Sequence, residues 1–261
     1  MLYDIKNLCF SYGRHTVLNN LSLTMESGCF YGILGPNGCG KTTLLDLLVR
    51  HLQPESGSIH FNDKPLNVFS PAQLARQVAL VAQTAAMNFP YTTGELVMMG
   101  RHPYIGRFSS PGPLDKKAVD TAMAHADVSD LRHQPVTELS GGERQRVFFA
   151  RALAQETPVL ILDEATSNLD IKHSLGLLSI VRQGMEKQGK TVIAVFHDIN
   201  LAALFCDRLV VMKQGRMFAT GQVKDILDAH LISDVYDVES QVTDNGFSNS
   251  RQVSFRPGGH L

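Results

Sequence analysis

The pattern of apolar and polar positions changes along the chain, and it predicts a mixture of strands and helices. Residues 1–31 alternate apolar and polar side chains between turn signals such as Gly13, which is typical of antiparallel hairpins. Later runs are almost continuously apolar, as buried parallel strands are. These buried strands are predicted over residues 29–34, 77–83, 158–163 and 191–198.

Apolar residues at helical spacing predict helices between these strands. One helix should follow Gly40 and stop near Gln53. Another should run from Ser70 to about Arg76, because Ser70 is a good N-cap and proline is favoured at the first helical position. From residue 84 onward the pattern is different: short helices are predicted over 94–100 and 114–132, separated by a proline- and glycine-rich connector, and no strand pattern appears.

The end of the chain predicts two strands around Gln214 and Gly215, a closing helix over 223–237 and a weak hairpin in the tail. We therefore expect an α/β fold. Its core, with an antiparallel β sub-domain, is predicted over residues 1–83 and 158–220. A helical sub-domain is expected to be inserted over 84–157, and a C-terminal helix and tail over 221–261.

Composition narrows the possible functions. The chain has 261 residues, of which 44% are hydrophobic and 19% charged, and its net charge is −1, so the overall charge does not indicate a nucleic-acid partner. No apolar run approaches the roughly 20 residues that span a bilayer, and the N-terminus lacks a signal-peptide pattern. The four cysteines are scattered, which favours reduced thiols in a cytoplasmic protein and no zinc site.

The sequence GPNGCGKTT fits the pattern G-x-x-x-x-G-K-[ST] between a predicted strand and a predicted helix. Glycine lets a backbone wrap closely around phosphates, and the N–H groups of the loop then face the anion. Lys41 should reach the β- and γ-phosphates of a nucleoside triphosphate, and the Thr42 hydroxyl should ligate Mg²⁺. The predicted nucleotide-binding residues are Gly35, Pro36, Asn37, Gly38, Cys39, Gly40, Lys41, Thr42 and Thr43.

Cys39 within this loop has two interpretations. Lys41 and the start of a helix would favour the reactive thiolate, so thiol reagents would block the nucleotide site. Alternatively, Cys39 is a small, buried and inert residue that only fits the loop. The sequence leaves both open.

Two acidic residues follow the predicted strand in PVLILDEAT. Because α/β sheets bind ligands at the carboxyl ends of their strands, Asp163 should hold Mg²⁺ and Glu164 should orient and deprotonate the attacking water. His197 ends the strand TVIAVFHD and is either a structural residue or a contact to the γ-phosphate. Tyr12 is either a packing aromatic or a platform that stacks on adenine.

The segment LSGGERQRVFFARALA, residues 139–154, is a third motif, and together with the two described above it identifies a family. Ser140, Gly141 and Gly142 stand at a predicted helix start, where a hydroxyl, N–H groups and the helix dipole attract an anion. With the phosphate loop and LILDEAT, nearly the whole chain resembles the ATPase subunits of ABC transporters, so that the core would be a RecA-like P-loop NTPase. Two departures are Ala165 and Ala82, where proline is frequent in the family, and neither contacts a reacting group.

The resemblance implies a role for several residues. Tyr12 would stack on adenine, and Gln83 would contact Mg²⁺ and the attacking water and sense the membrane partner. Residues 140–142 would bind the γ-phosphate of ATP held by a second subunit. The SNLD segment ending at Asp170 would cross between subunits, and His197 would be the γ-phosphate switch.

The stretch TTGELVMMGRHPYIGR, residues 92–107, resembles importers of iron-siderophore, haem and cobalamin type. This implies a homodimer at the cytoplasmic face of the inner membrane, a transmembrane permease and an extracytoplasmic binding protein. The lack of a large domain after residue 261 is expected for that class and not for sugar importers. We expect the permease to dock on residues 83–107, with Arg101 and Tyr104 on the docking surface.

Alternatives to a metal-chelate importer remain. A soluble single-cassette ATPase, for example in cluster assembly, has the same motifs, as does an importer subunit for another substrate. Repair and translation members would show coiled-coil heptads or tandem cassettes, and a P-loop kinase would leave residues 139–142 unexplained.

Overall fold

The computed structural model describes residues 1–82, 90–166 and 169–256. The chain divides into two compact units. Unit 1 consists of Met1–Val68 and Ile193–Leu261, and unit 2 consists of Phe69–Val192. The sub-domain boundaries inferred from the sequence stay predictions.

The described residues form strands and helices in an order that mixes both types along the chain. The strands are β1 (Tyr3–Tyr12), β2 (His15–Met25), β3 (Phe30–Leu34), β4 (Ser56–Phe61), β5 (Lys64–Pro65), β6 (Val78–Val81), β7 (Val159–Asp163), β8 (Thr191–Val195), β9 (Arg208–Lys213), β10 (Arg216–Gln222), β11 (Ser240–Asn245) and β12 (Ser250–Phe255). The α-helices are α1 (Lys41–Leu48), α2 (Pro71–Ala75), α3 (Thr93–Met98), α4 (Pro113–His125), α5 (Gly141–Ala154), α6 (Ile171–Gln188), α7 (Ile199–Phe205), α8 (Val223–Ile226) and α9 (Ala229–Tyr236). The predicted α/β class is confirmed.

Unit 1 contains an antiparallel sheet in the order β2-β1-β4-β5. Strands β1 and β2 form the predicted hairpin, in which Tyr3 faces Met25 and Tyr12 faces His15. Tyr3 and Phe61 are fully buried, and their ring centroids lie 5.0 Å apart. Alternation of buried and exposed residues therefore gives this sheet one core face, as the sequence predicted.

Unit 1 also contains the strands β10, β9 and β3 of a second sheet, in that order, with residues 193–195 of β8 beside β3; strands β3 and β9 are parallel. Strands β9 and β10 form the predicted hairpin around Gln214 and Gly215, whose φ angles are 50° and 73°. Two positive φ angles at the turn match the twist of the flanking strands. Helix α1 ends at Leu48, earlier than the predicted Gln53.

The predicted closing helix over 223–237 is interrupted. Helix α8 ends at Ile226, and α9 starts after Asp228, whose carboxylate accepts a hydrogen bond of 2.8 Å from the Leu231 N–H. An aspartate inside a helical pattern is a strong N-cap, so two short helices replace the single one. The tail hairpin is confirmed and pairs Ser240 with Phe255 at its open end.

Unit 2 contains the parallel pair of β6 and β7 together with helices α2 to α6. Ser70 caps α2 as predicted. The predicted helix over 114–132 ends at His125, since Asp127 has a left-handed φ of 53° and a 3₁₀ turn follows. The described residues between Pro90 and Thr157 contain no strand, only an isolated bridge between Thr92 and Pro135. None of the helices in the described ranges combines the length and apolarity needed to cross a membrane.

Candidate nucleotide site

The glycine-rich loop lies between β3 and α1, as predicted. Its glycines have positive φ angles: 150° at Gly35, 76° at Gly38 and 99° at Gly40. A Cβ atom at Gly35 would lie 2.2 Å from the Met212 carbonyl oxygen, so no other residue fits there. The loop therefore has the close backbone curvature that presents N–H groups to phosphates.

Lys41 is folded back over this loop. Only 6% of the residue is exposed, and its Nζ atom donates hydrogen bonds to the carbonyl oxygens of Gly35 at 2.8 Å and Pro36 at 3.0 Å. Both acceptors are uncharged carbonyl oxygens, so these bonds leave the positive charge of the ammonium available to an anion in the loop. The next residue, Thr42, is exposed at the start of α1.

Cys39 is buried inside the loop, with 4% of the residue exposed. Burial raises the pKa of its thiol, and the nearby Lys41 charge opposes this only in part. Desolvation disfavours the thiolate more than the cation favours it. The structure therefore favours the interpretation of Cys39 as a small, unreactive residue.

His197 lies in the same unit as the loop, just beyond the end of β8. The Phe196 N–H donates a 3.1 Å hydrogen bond to the Ile33 carbonyl oxygen, close to the end of the strand that leads into the loop. The two strand ends thus share one edge of the sheet, and His197 is exposed there. Asp198 caps the following helix α7 by accepting hydrogen bonds from the Asn200 and Leu201 N–H groups at 2.8 and 3.2 Å.

Tyr12 ends strand β1 and is 53% exposed. Its ring makes an edge contact with Phe10, with centroids 5.0 Å apart. It is therefore a surface aromatic and not a core residue. Stacking on adenine stays a prediction.

The two acidic residues follow the buried strand β7. Asp163 is the last residue of the strand and 4% exposed, and Glu164 comes next with 8% exposed. Glu164 has a left-handed φ of 52°, which turns the chain sharply after Asp163. The Asp163 carboxylate of unit 2 and the Thr42 hydroxyl of unit 1 are each oxygen donors of the kind that Mg²⁺ prefers, and a shared ion stays a prediction.

Ser140 caps helix α5 through a reciprocal capping box with Glu143. The Ser140 N–H and hydroxyl donate to Glu143 Oε2 at 2.9 and 2.7 Å, and the Ser140 hydroxyl accepts from the Glu143 N–H. These bonds from Ser140 lower the pKa of the Glu143 carboxyl, which is therefore charged beside the hydroxyl. Gly141 has no atom within 4 Å of a would-be Cβ, so the helix start is open.

Some predicted site residues lie outside the described ranges: Gln83 and residues 167 and 168. Asp170 is described and caps helix α6 by accepting a 2.8 Å hydrogen bond from the His173 N–H. Lys41 and His197 belong to unit 1, while Asp163, Glu164 and Ser140 belong to unit 2.

Arg101 is not on the surface, contrary to its expected place on a docking surface. The residue is 6% exposed, and its guanidinium forms ion pairs with Asp115 at 3.0 Å and Glu156 at 2.7 Å. It also donates to the Ala154 carbonyl oxygen at 2.7 Å and lies over the ring of Tyr104, 4.2 Å from its centroid. We call Arg101 with these four partners the Arg101 cluster. The sequence offered no signal for it, because its polar partners Asp115, Ala154 and Glu156 lie 14, 53 and 55 residues from Arg101 along the chain.

The sequence model of the ABC transporter family matches residues 18–167. The chain is 37% identical to the ferric enterobactin transport ATP-binding protein FepC of Escherichia coli (strain K12) over 240 residues, which cover 92% of this chain and 89% of that protein. It is 38% identical to the hemin import ATP-binding protein HmuV of Thermobifida fusca (strain YX) over 237 residues, covering 91% and 82% of the two chains.

The solved structures with a similar fold are also ABC transporter proteins. The fold is similar to that of a metal-chelate type ABC transporter in an inward-facing conformation, with a TM-score of 0.83, 26% identity and coverage of 98% of this chain and 97% of that one. It is also similar to the dimeric structure of MJ0796, a bacterial ABC transporter cassette, with a TM-score of 0.76, 28% identity and coverage of 85% and 98%.

Proposed function

Because the chain belongs to the ABC transporter family, we propose that it is the ATP-hydrolysing subunit of a membrane importer for a metal chelate, such as a ferric siderophore, haem or cobalamin. One observation carries the proposal: a glycine loop with a buried lysine over it, in a chain 37% identical to a siderophore-import ATPase along 92% of its length. ATP is the substrate, and its hydrolysis drives transport.

The residues of this chain divide the chemistry between them. Loop N–H groups and Lys41 bind the phosphates, and Glu164 takes a proton from the attacking water. Asp163 and Thr42, with Gln83, would hold Mg²⁺, which supplies charge neutralisation between the phosphates when bound. His197 contacts the γ-phosphate and reports its loss. Tyr12 offers its exposed ring to the adenine.

The active unit is a pair of these chains. The start of helix α5 is open at Gly141, and in the proposed dimer its helix dipole and N–H groups face the γ-phosphate of ATP held by the other copy. The dimeric form of the similar cassette MJ0796 supports this arrangement. ATP binding closes the dimer, and hydrolysis opens it.

The transport step takes place in partner proteins. We propose a transmembrane permease, supplied by an extracytoplasmic binding protein, with this subunit at the cytoplasmic face of the membrane. Exposed apolar side chains on unit 2 support a docking surface: Tyr91, Tyr104, Phe108 and Leu114 are 39%, 37%, 96% and 79% exposed. A contiguous exposed apolar patch commonly marks an interface, and we propose that these four side chains form one.

Replacing Glu164 by glutamine tests the catalytic part of the proposal. Glu164→Gln keeps the shape of the side chain but removes the base, so ATP hydrolysis should fall by about 10²–10⁴ while ATP binding persists. ATP should then trap a stable dimer in size-exclusion chromatography. The matched control is Glu186→Gln, which changes an exposed carboxylate on helix α6 of the same unit and should leave turnover unchanged.

Normal turnover of Glu164→Gln would contradict the role given to this residue. For the transport part, the chain should co-purify with a multi-span membrane protein, and its ATPase activity should be required for chelate uptake in vesicles. Association with soluble partners alone would favour the single-cassette alternative.

A further inference from the structure

Helix α7 begins at Ile199, preceded by His197 and the N-cap Asp198, and it contacts strand β12 of the C-terminal hairpin. Its apolar face, Ile199, Ala202 and Ala203, is buried. On the hairpin side, Val253 of β12 is 3% exposed. The helix that follows His197 is therefore covered by the C-terminal hairpin, which contains none of the nucleotide motifs.

The contact between them is made by two hydrogen bonds of one side chain. Asn200 Oδ1 accepts from the Val253 N–H at 2.7 Å, and Asn200 Nδ2 donates to the Val253 carbonyl oxygen at 3.2 Å. Within the hairpin, Val253 faces Val242. In an antiparallel pair every second residue directs its N–H and C=O outward, and the Asn200 amide satisfies both, as a neighbouring strand would.

The hairpin is also connected to the phosphate loop. It follows helix α9, whose last residue, Tyr236, has its hydroxyl beside the backbone of Gly35 in the loop. Burial raises the pKa of the Tyr236 hydroxyl to about 12, so the group is protonated at neutral pH. The segment 229–255 thus contacts both the loop and the helix that follows His197.

We propose that Asn200 is a positioning residue for ATP hydrolysis: it fixes helix α7 to the C-terminal hairpin and thereby holds His197 at the edge of the sheet next to the phosphate loop. This inference rests on the proposed function, in which His197 contacts the γ-phosphate. The hydrogen-bonded amide restrains the start of α7 from one side, and the Asp198 cap restrains it from the other.

Steady-state kinetics of Asn200→Ala test the proposal in the full chain. Nucleotide binding by the loop is intact, so KM for ATP should stay within about twofold, while kcat should fall about tenfold, because small displacements at a reacting centre are costly. Asn200→Asp keeps the acceptor for the Val253 N–H but places an oxygen against the Val253 carbonyl oxygen. It should therefore show the same lowered kcat with a nearly unchanged KM. The matched control is Gln252→Ala, which removes a 2.6 Å hydrogen bond to Asn245 in the same hairpin and should leave both constants unchanged.

Hydrogen exchange measured on the same proteins provides a readout that does not depend on activity. Amides of residues 197–203 should exchange at least tenfold faster in both Asn200 variants than in the wild type, and not in Gln252→Ala. Unchanged exchange, unchanged kcat or an equal loss in Gln252→Ala would overturn the proposal. If the wild-type protein has no ATPase activity but the Asn200 variants still exchange faster than the wild type, the proposed function fails and the restraint on α7 is real.

Discussion

Arg101→Ala should destabilise the protein, because it removes the centre of the Arg101 cluster. Sequence reasoning placed Arg101 on a surface that contacts the permease, whereas the structure buries its guanidinium among Asp115, Ala154 and Glu156. The expected effect is therefore on folding and not on docking.

The magnitude follows from the exposure of each partner. Losing one partner of a buried ion pair costs about 3–5 kcal/mol. Asp115 is 16% exposed and keeps a 2.9 Å hydrogen bond from the Gly112 N–H, so its contribution lies below that range. Glu156 is 60% exposed and contributes about 0–1 kcal/mol. An unpaired Ala154 carbonyl adds about 1–3 kcal/mol. Together these effects predict a loss of about 3 kcal/mol in the free energy of unfolding.

Thermal unfolding followed by circular dichroism measures this loss. At about 2–4 °C per kcal/mol for a chain of this size, Tm should fall by about 6–12 °C. Arg107→Ala is the matched control, since Arg107 is exposed in the same segment and its guanidinium lies 5.7 Å from the centroid of the Phe108 ring. If Arg101→Ala melts with the wild type and loses the permease in co-purification, the docking interpretation is right and the argument from burial is wrong.

Two further predictions concern the loop and the start of α5. N-ethylmaleimide should modify Cys9 before the buried Cys39, because the Ser56 side chain lowers the pKa of the Cys9 thiol whereas burial raises that of Cys39. Mg·ATP should not protect the protein from this modification. If peptide mapping shows fast labelling of Cys39, the reactive-thiol interpretation is right. Glu143→Gln should keep the capping box with Ser140 but remove a negative charge from the proposed γ-phosphate site, lowering KM for ATP about fivefold, as expected for roughly 1 kcal/mol between charges near water. A higher KM in an ATPase assay would show that the carboxylate itself is needed.

Local signals in the sequence located much of the fold and the nucleotide motifs. The pattern of Ser70 and Pro71, the turn at Gln214 and Gly215 and the loop glycines each depend on neighbouring residues, and each has the predicted conformation. Helices α6 and α7 were not predicted. These helices start at the N-caps Asp170 and Asp198. Both aspartates belong to motifs that predicted a functional role, so their capping role was not predicted.

Contacts between distant segments could not be predicted. The pairing of Asn200 with Val253 joins a helix to a strand far along the chain, and a lone asparagine has many ordinary surface roles. The burial of Arg101 has the same origin, because only the folded chain shows which carboxylates surround it. Gln83 lies outside the described residues, and its predicted role remains a prediction.

The left-handed backbone at Glu164 limits how stable this protein can become through mutation. Such a conformation costs a non-glycine residue about 1–2 kcal/mol, which the rest of the fold must offset. Selection for heat resistance alone would favour glycine or asparagine at this position and would remove the carboxylate. Because Glu164 is the proposed catalytic base, variants that keep ATP hydrolysis must gain their stability through substitutions at other positions.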